Sequence, residues 1–201
     1  KGRCAENPAK GVKAEKVERK LPQILSNQEV ELLLEQPRCV DDKGFRDHAM
    51  LEVLYATGIR VSEVRYITVE AARAGRAEIS LKGKIRTILL PQKLCRKLRK
   101  YARKNKIASG EIFLTGSGKP MSRCQIWAEM KRVCKAAGVD PAKVFPHNLR
   151  HLFATVYYQI YKDIVKLADI LGHSSVETTR IYLLTTGQEH RQQLERLRLV
   201  L

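Results

Sequence analysis

One stretch of this chain changes its hydrophobic period, and it limits the folds open to the rest. Ala77-Glu78-Ile79-Ser80-Leu81 alternates, Lys82-Gly83-Lys84 turns, and Ile85 to Leu90 alternates again or runs apolar. That pattern predicts a β-hairpin with a basic tip. Nearly everything else reads at helical period. Ser26 with Glu29 three residues on forms a capping box for a helix holding Val30, Leu32, Leu33 and Leu34 and stopping by Pro37. An apolar helix over about 45–56 follows, broken at Gly58, with a short helix over 61–67. Pro91 opens a helix that turns Leu94, Leu98 and Tyr101 inward and is basic elsewhere. Further helices are expected over 122–137, from His147 onward, and over 164–171, 175–184 and 188–199. Glu111-Ile112-Phe113-Leu114 is a short strand candidate ahead of a Gly/Pro loop. The expected fold is mainly α with a small antiparallel β-sheet, an α+β arrangement.

The charge narrows the partners. A formal net charge of +17 and a pI near 9.9 on 201 residues cost self-repulsion and imply a polyanionic partner, nucleic acid. Between Ile79 and Gly110 no acidic residue occurs, while cations accumulate from Lys82 to Lys106. No apolar run approaches the roughly 18 residues a membrane span needs, and the start does not read as a signal peptide. Cys4, Cys39, Cys95, Cys124 and Cys134 form no CxxC pair and sit near no histidine at ligand spacing. Such a scattered set predicts reduced thiols in a cytoplasmic protein and no metal site. Residues 1–20 are polar and Lys-rich. They read as a linker or arm entering the domain at residue 21, and the initial Lys suggests a fragment of something longer.

One spaced set of residues points to chemistry. Phe145-Pro146-His147-Asn148-Leu149-Arg150-His151 is followed by Leu171-Gly172-His173 and then Tyr182, with Thr57-Gly58-Ile59-Arg60-Val61-Ser62-Glu63 upstream. His147 and Arg150, three apart, share a helix face. Arginines suit a phosphodiester, histidines its charge and protons, and a tyrosine hydroxyl can attack phosphorus. The set resembles the signature of the tyrosine recombinases, the phage-integrase and Xer-like DNA strand-transfer enzymes. The likeness runs from about Leu21 to the end and implies a catalytic domain over 21–201, without the N-terminal core-binding domain such enzymes usually carry.

The resemblance implies that Arg60 and Arg150 bind the scissile phosphate and that His147 hydrogen-bonds it or takes the tyrosine proton. His173 belongs to the same site, and Tyr182 is the nucleophile. An isolated tyrosine among Ile181, Leu183 and Leu184 would otherwise be core, as is expected of Tyr157, Tyr158 and Tyr161. Glu63 either orients Arg60 or serves as an acid favoured by the first turn of a helix. His151 either touches the phosphate or packs behind it. In the family a β-turn lysine protonates the departing 5′ oxygen. Here Leu81 replaces the usual first glycine and the turn is shorter, so Lys82 is the first choice and Lys84 the alternative. Lys84, Arg86 and Arg123 are candidate DNA contacts. Neither cofactor nor metal is expected. The implied function is site-specific DNA recombination or integration through a 3′-phosphotyrosine. A type IB topoisomerase-like activity and a non-catalytic DNA-binding module are the rivals.

Two expectations concern the C-terminal region. Ser174-Ser175-Val176-Glu177 reads as a capping box, and nine residues of straight helix from His173 to Tyr182 would span about 13 Å. Both cannot then reach one phosphate, so the helix must be short or bent, or Tyr182 must move in on assembly. The tail at about 188–201 carries an apolar stripe at Leu194, Leu197 and Val200 or Leu201. It packs on its own domain or docks on a neighbour, as similar tails do in synaptic tetramers. The implied origin is bacterial or phage.

Overall fold

The structure, a computed structural model, describes residues 25–36, 42–81 and 84–180. Within these the molecule is mostly helical with one two-stranded antiparallel sheet. Helix α1 (Asn27–Glu35) begins where the sequence places its cap: Ser26 Oγ accepts from Glu29 N at 3.2 Å, and Glu29 Oε2 accepts from Ser26 N at 2.8 Å. Leu25 and Val30, at the two positions of a hydrophobic staple, are both buried.

Helix α2 (Asp42–Thr57) is the core helix. It buries Ala49, Met50, Leu51, Val53 and Leu54 and packs on α1 and on the later helices α4 (Gln92–Lys104), α5 (Arg123–Ala137) and α6 (Pro146–Tyr161). Gly58 ends α2 in the left-handed region at φ +61°, and a Cβ there would overlap the Phe153 ring of α6. Only glycine lets α2 stop this close to α6. The expected short helix over 61–67 is a 3₁₀ turn, Val61–Tyr66. A six-residue helix not foreseen from the sequence, α3 (Val69–Ala74), follows, capped by Thr68.

The hairpin forms as expected. Strands β1 (Arg76–Leu81) and β2 (Lys84–Leu89) pair antiparallel, with Arg76 opposite Leu89 and Leu81 opposite Lys84. Ala77, Ile79 and Ile88 face the core, while Ile85 and Leu89 face out. Helix α4 then buries Leu94, Cys95, Leu98 and Ala102 beneath a basic outer face.

The strand expected at 111–114 does not form. Glu111 and Leu114 each make a single isolated bridge, to Thr68 and Pro120. Ile112 and Phe113 are adjacent and both buried, but the bridges on either side of them go to different partners, so the segment builds no ladder. It is a core-filling loop, pinned by Ile112 N to the Ile67 carbonyl at 3.3 Å and by Met121 N to the Phe113 carbonyl at 3.0 Å.

Helix α5 starts on a second capping box, Ser122 with Gln125, and stops at Gly138. It is tied to α2 by the fully buried Asp47 carboxylate, which accepts from Arg46 at 2.8 Å and Arg132 at 2.6 Å. Helix α6 has Pro146 in its first turn, and α7 (Ile164–Leu171) is capped by Asp163 and ended by Gly172 at φ +65°. The helix expected over 175–184 is, among the described residues, one 3₁₀ turn, Val176–Thr178. No capping box forms there. Ser175 Oγ accepts from Glu177 N, and the Glu177 carboxylate pairs with Arg180 at 2.8 Å instead. The expected arm at 1–20, the tail at 188–201 and Tyr182 lie outside the described residues, as does Lys82. Among the described residues no helix is long and apolar enough to cross a membrane.

Candidate active site

Four chain segments that are remote in sequence meet where α2 ends, α6 begins, α7 ends and β2 passes. Their junction is built on two acceptors, the Glu63 carboxylate and the carbonyl groups that end α7. Glu63 is 1% exposed. Its Oε2 accepts from Arg60 N at 2.8 Å and its Oε1 from Arg60 Nη1 at 3.1 Å. Both expected roles therefore belong to one side chain, which caps the 3₁₀ turn and aims Arg60. The Arg60 side chain stays 42% exposed, and its Nη2 leans on the Gly172 carbonyl at 3.4 Å.

Arg150 is held differently. At 1% exposure it is among the most buried large side chains described. Its Nη1 donates to the Gly58 carbonyl at 2.6 Å and its Nη2 to the Leu171 carbonyl at 2.6 Å. The fork thus bridges the C-terminal ends of α2 and α7, where carbonyl groups lack helical partners. Nη2 also lies 3.0 Å from His173 Nε2. A guanidinium only donates, so that nitrogen accepts. The His173 proton then sits on Nδ1 and is donated to Thr179 Oγ1, 2.8 Å away. Thr179 is fully buried. Nothing in the sequence pattern singled it out, and its only signal is its place one 3₁₀ turn beyond the Gly-His break.

His147 is exposed at the start of α6, and its ring meets that of His151 edge-on at 4.4 Å between centroids. His151 is buried, so the structure favours packing behind the site over contact with a ligand. Arg86, expected among the DNA contacts, is turned inward. It lies opposite Ile79, on the covered face of the hairpin, and reaches Glu63 and the Leu171 carbonyl. Strand alternation carried the signal, because Arg86 occupies the same set as the buried Ile88. Arg123 is exposed at the first turn of α5. Together with Trp127, Phe145, His147 and Arg60 it lines a cleft of about 1230 Å³ that reaches Arg150. Lys84 lies at the start of β2. Among the described residues no three His, Cys, Asp or Glu side chains gather as a metal site.

The electrostatics favour an anion. Two guanidinium groups, those of Arg60 and Arg86, share the Glu63 carboxylate while Arg150 adds a third cation, and the surrounding histidines respond. Burial, then the charges of His147 and Arg150, pushes His151 down to about 4. Burial, then Arg150, Arg60, Arg86 and His147, pushes His173 down to about 4. Desolvation, then Arg150 and Arg60, lowers His147 as well. All three imidazoles are therefore neutral at pH 7, as the tautomer of His173 requires.

This has a consequence for stability. The unfolded histidines titrate near 6.5, so between that value and about 4 the unfolded chain binds more protons than the folded one. Without DNA the stability held at neutral pH is expected to drop as pH falls through this window. Melting temperatures measured from pH 7 to pH 4 check it, and His151→Gln should flatten the slope.

Comparison with known proteins bears on this geometry. The model of the phage integrase family matches residues 23–189. The chain belongs to that family. A tyrosine recombinase XerD from Xanthomonas axonopodis pv. citri (strain 306) is 37% identical over 208 aligned residues, covering 96% of this chain and 68% of that protein. The crystal structure of XerA recombinase superposes with a TM-score of 0.74 at 25% identity, covering 94% of this chain and 68% of that one. XerH recombinase, in a pre-cleavage complex with its difH substrate, superposes with a TM-score of 0.71 at 26% identity, over 86% of this chain and 53% of that one. The chain spans 62–68% of the length of the first curated relatives it matches. The family is one of site-specific DNA recombinases, and the mainly helical fold with a small antiparallel hairpin is that of their catalytic domains.

Proposed function

We propose that this chain is the catalytic part of a site-specific recombinase that cuts and rejoins double-stranded DNA through a 3′-phosphotyrosine on Tyr182. The observation that carries the reading is the convergence of Arg60, His147 and Arg150 on one cleft, with the buried Glu63 carboxylate holding Arg60 and His173 hydrogen-bonded to Arg150.

The scissile phosphate enters beside the half-exposed Arg60 and meets Arg150 at the cleft floor. The N-terminus of α6 adds partial positive charge at the same edge. The Tyr182 hydroxyl attacks phosphorus, and its proton passes to the neutral His147. The bond to the 5′ oxygen breaks, and that oxygen takes a proton from Lys82, with Lys84 as the alternative donor. A 5′-hydroxyl from a partner duplex then attacks the phosphotyrosine and releases Tyr182. One phosphodiester replaces another at each step, so the exchange needs no external energy source. His173 works through Arg150, fixing the guanidinium while Thr179 fixes the imidazole.

The positive face of α4 and the exposed Arg123 supply contacts to the phosphate backbone, which position the duplex and carry no sequence information. The arm at 1–20 follows the duplex from a preceding core-binding domain. The tail at 188–201 docks on a neighbouring protomer in a tetramer, bringing Tyr182 in only when partners are assembled. That timing agrees with a 3₁₀ turn, not a straight helix, leading out of His173.

A supercoiled plasmid carrying two direct repeats of the native crossover site, incubated with the intact protein, tests the reading. Resolution into two smaller circles is expected. Steady relaxation of a plasmid lacking the site would instead mark a type IB activity, and binding without any change of topology a non-catalytic module.

A further inference from the structure

We propose that Arg86 is a positioning residue that fastens Arg60, Arg150 and the lysine-bearing hairpin into one unit without itself touching DNA. The inference rests on the recombinase reading above and extends it to a residue outside the expected catalytic set.

The geometry is specific. Arg86 leaves β2 on its inward face, opposite Ile79, and its side chain is 16% exposed. Nη2 donates to Glu63 Oε2 at 2.7 Å, the same carboxylate that holds Arg60 through its backbone N at 2.8 Å and its Nη1 at 3.1 Å. Nη1 donates to the Leu171 carbonyl, which also accepts from Arg150 Nη2 at 2.6 Å. One planar fork therefore shares an acceptor with each phosphate arginine. Gly172 fits this arrangement, because a Cβ there would overlap the Arg86 guanidinium.

The charge arithmetic explains why a third arginine is useful. A buried carboxylate must be compensated. With Arg86 in place Glu63 has a buried cation of its own, and Arg60 can keep its guanidinium half-exposed toward the cleft. Without Arg86 the whole demand falls on Arg60, which would be drawn inward and away from phosphate. Desolvation pulls the Arg86 pKa below its ordinary value, and Glu63 opposes that pull. Position matters too. Arg86 lies two residues beyond Lys84 and four beyond Lys82, so anchoring it fixes the strand that begins at Lys84, two residues after Lys82 in the sequence.

Lysine can make one of these links and not both, because its ammonium lacks the fork. Arg86→Lys is therefore the informative variant, since it keeps a cation beside Glu63 and so preserves folding. Wild type, Arg86→Lys and Arg86→Met are compared in the intact protein by circular dichroism, by affinity for the native site over a range of salt, and by single-turnover cleavage of a nicked suicide duplex at saturating protein. For Arg86→Lys the expected result is native folding, unchanged affinity and salt slope, and cleavage slowed roughly 10–100-fold, the range seen for residues that orient metal ligands. Arg86→Met should be slower still and less stable. Three results would overturn the proposal. They are wild-type cleavage by Arg86→Lys, a slowing matched by lost affinity with a salt slope reduced by about one, which would mark a direct phosphate contact, and a slowing explained wholly by unfolding. A wild-type protein that forms no covalent adduct in the same assay would instead remove the recombinase reading, and this proposal with it.

Discussion

Arg150→Lys is expected to lower strand cleavage by on the order of 10²–10³, the cost of losing one well-placed donor at a charged transition state. It should also destabilise the folded protein, and the combination is what distinguishes Arg150 from Arg60. Arg150 joins the carbonyl that follows α2 to the one that ends α7 and holds His173, all from a site that is 1% exposed. An ammonium reaches at most some of these acceptors. Each buried acceptor left unpaired costs roughly 1–3 kcal/mol, and at this size each lost kcal/mol lowers the melting temperature by roughly 2–4 °C. A melt shifted down by several degrees, together with the loss of cleavage, is the predicted pair of results. Arg60→Lys should lose cleavage with little change in melting, because the Arg60 side chain is 42% exposed and leans on the Gly172 carbonyl at 3.4 Å. Equal melting losses for the two variants would contradict the division of labour between a buried strut and an accessible clamp.

What the sequence showed, and what it hid, follows from the range of the interactions involved. The capping box at Ser26 and the hairpin expected over 77–90 are decided by neighbours a few residues apart, and both form as read, while the helix expected from Ser122 begins on a capping box that was not foreseen. Helix α3 was missed because six residues hold too little of a 3.6-residue period to show one. The segment at 111–114 looked like a strand by composition, yet its two ends bridge to different partners, Thr68 and Pro120, and no ladder forms. The capping box read over 174–177 does not form: the cap falls one residue later, at Ser175, which accepts from Glu177 N at the start of a 3₁₀ turn, while the Glu177 side chain turns to Arg180.

The site divides along the same line. Arg60, His147, Arg150 and His173 were legible because their motifs are short and their order is diagnostic. Arg86 meets Glu63 from 23 residues away and the Leu171 carbonyl from 85, where Arg150 arrives from 21. No local pattern encodes such a meeting. Arg86 was read as one more surface cation in a basic stretch, although its place in the strand alternation already directed it inward. Thr179 carried no comparable mark, since a threonine after a turn is common.

The central claim is that Tyr182 becomes covalently joined to DNA at the cleft formed by Arg60 and Arg150. The direct test is a nicked suicide duplex bearing the native site, incubated with wild-type protein and with Tyr182→Phe, then denatured and resolved by size. The account predicts a denaturation-resistant protein–DNA adduct with wild type and none with Tyr182→Phe, at equal affinity for the site. An adduct that survives in Tyr182→Phe would place the nucleophile elsewhere, and tight binding by wild type with no adduct would contradict the recombinase chemistry itself.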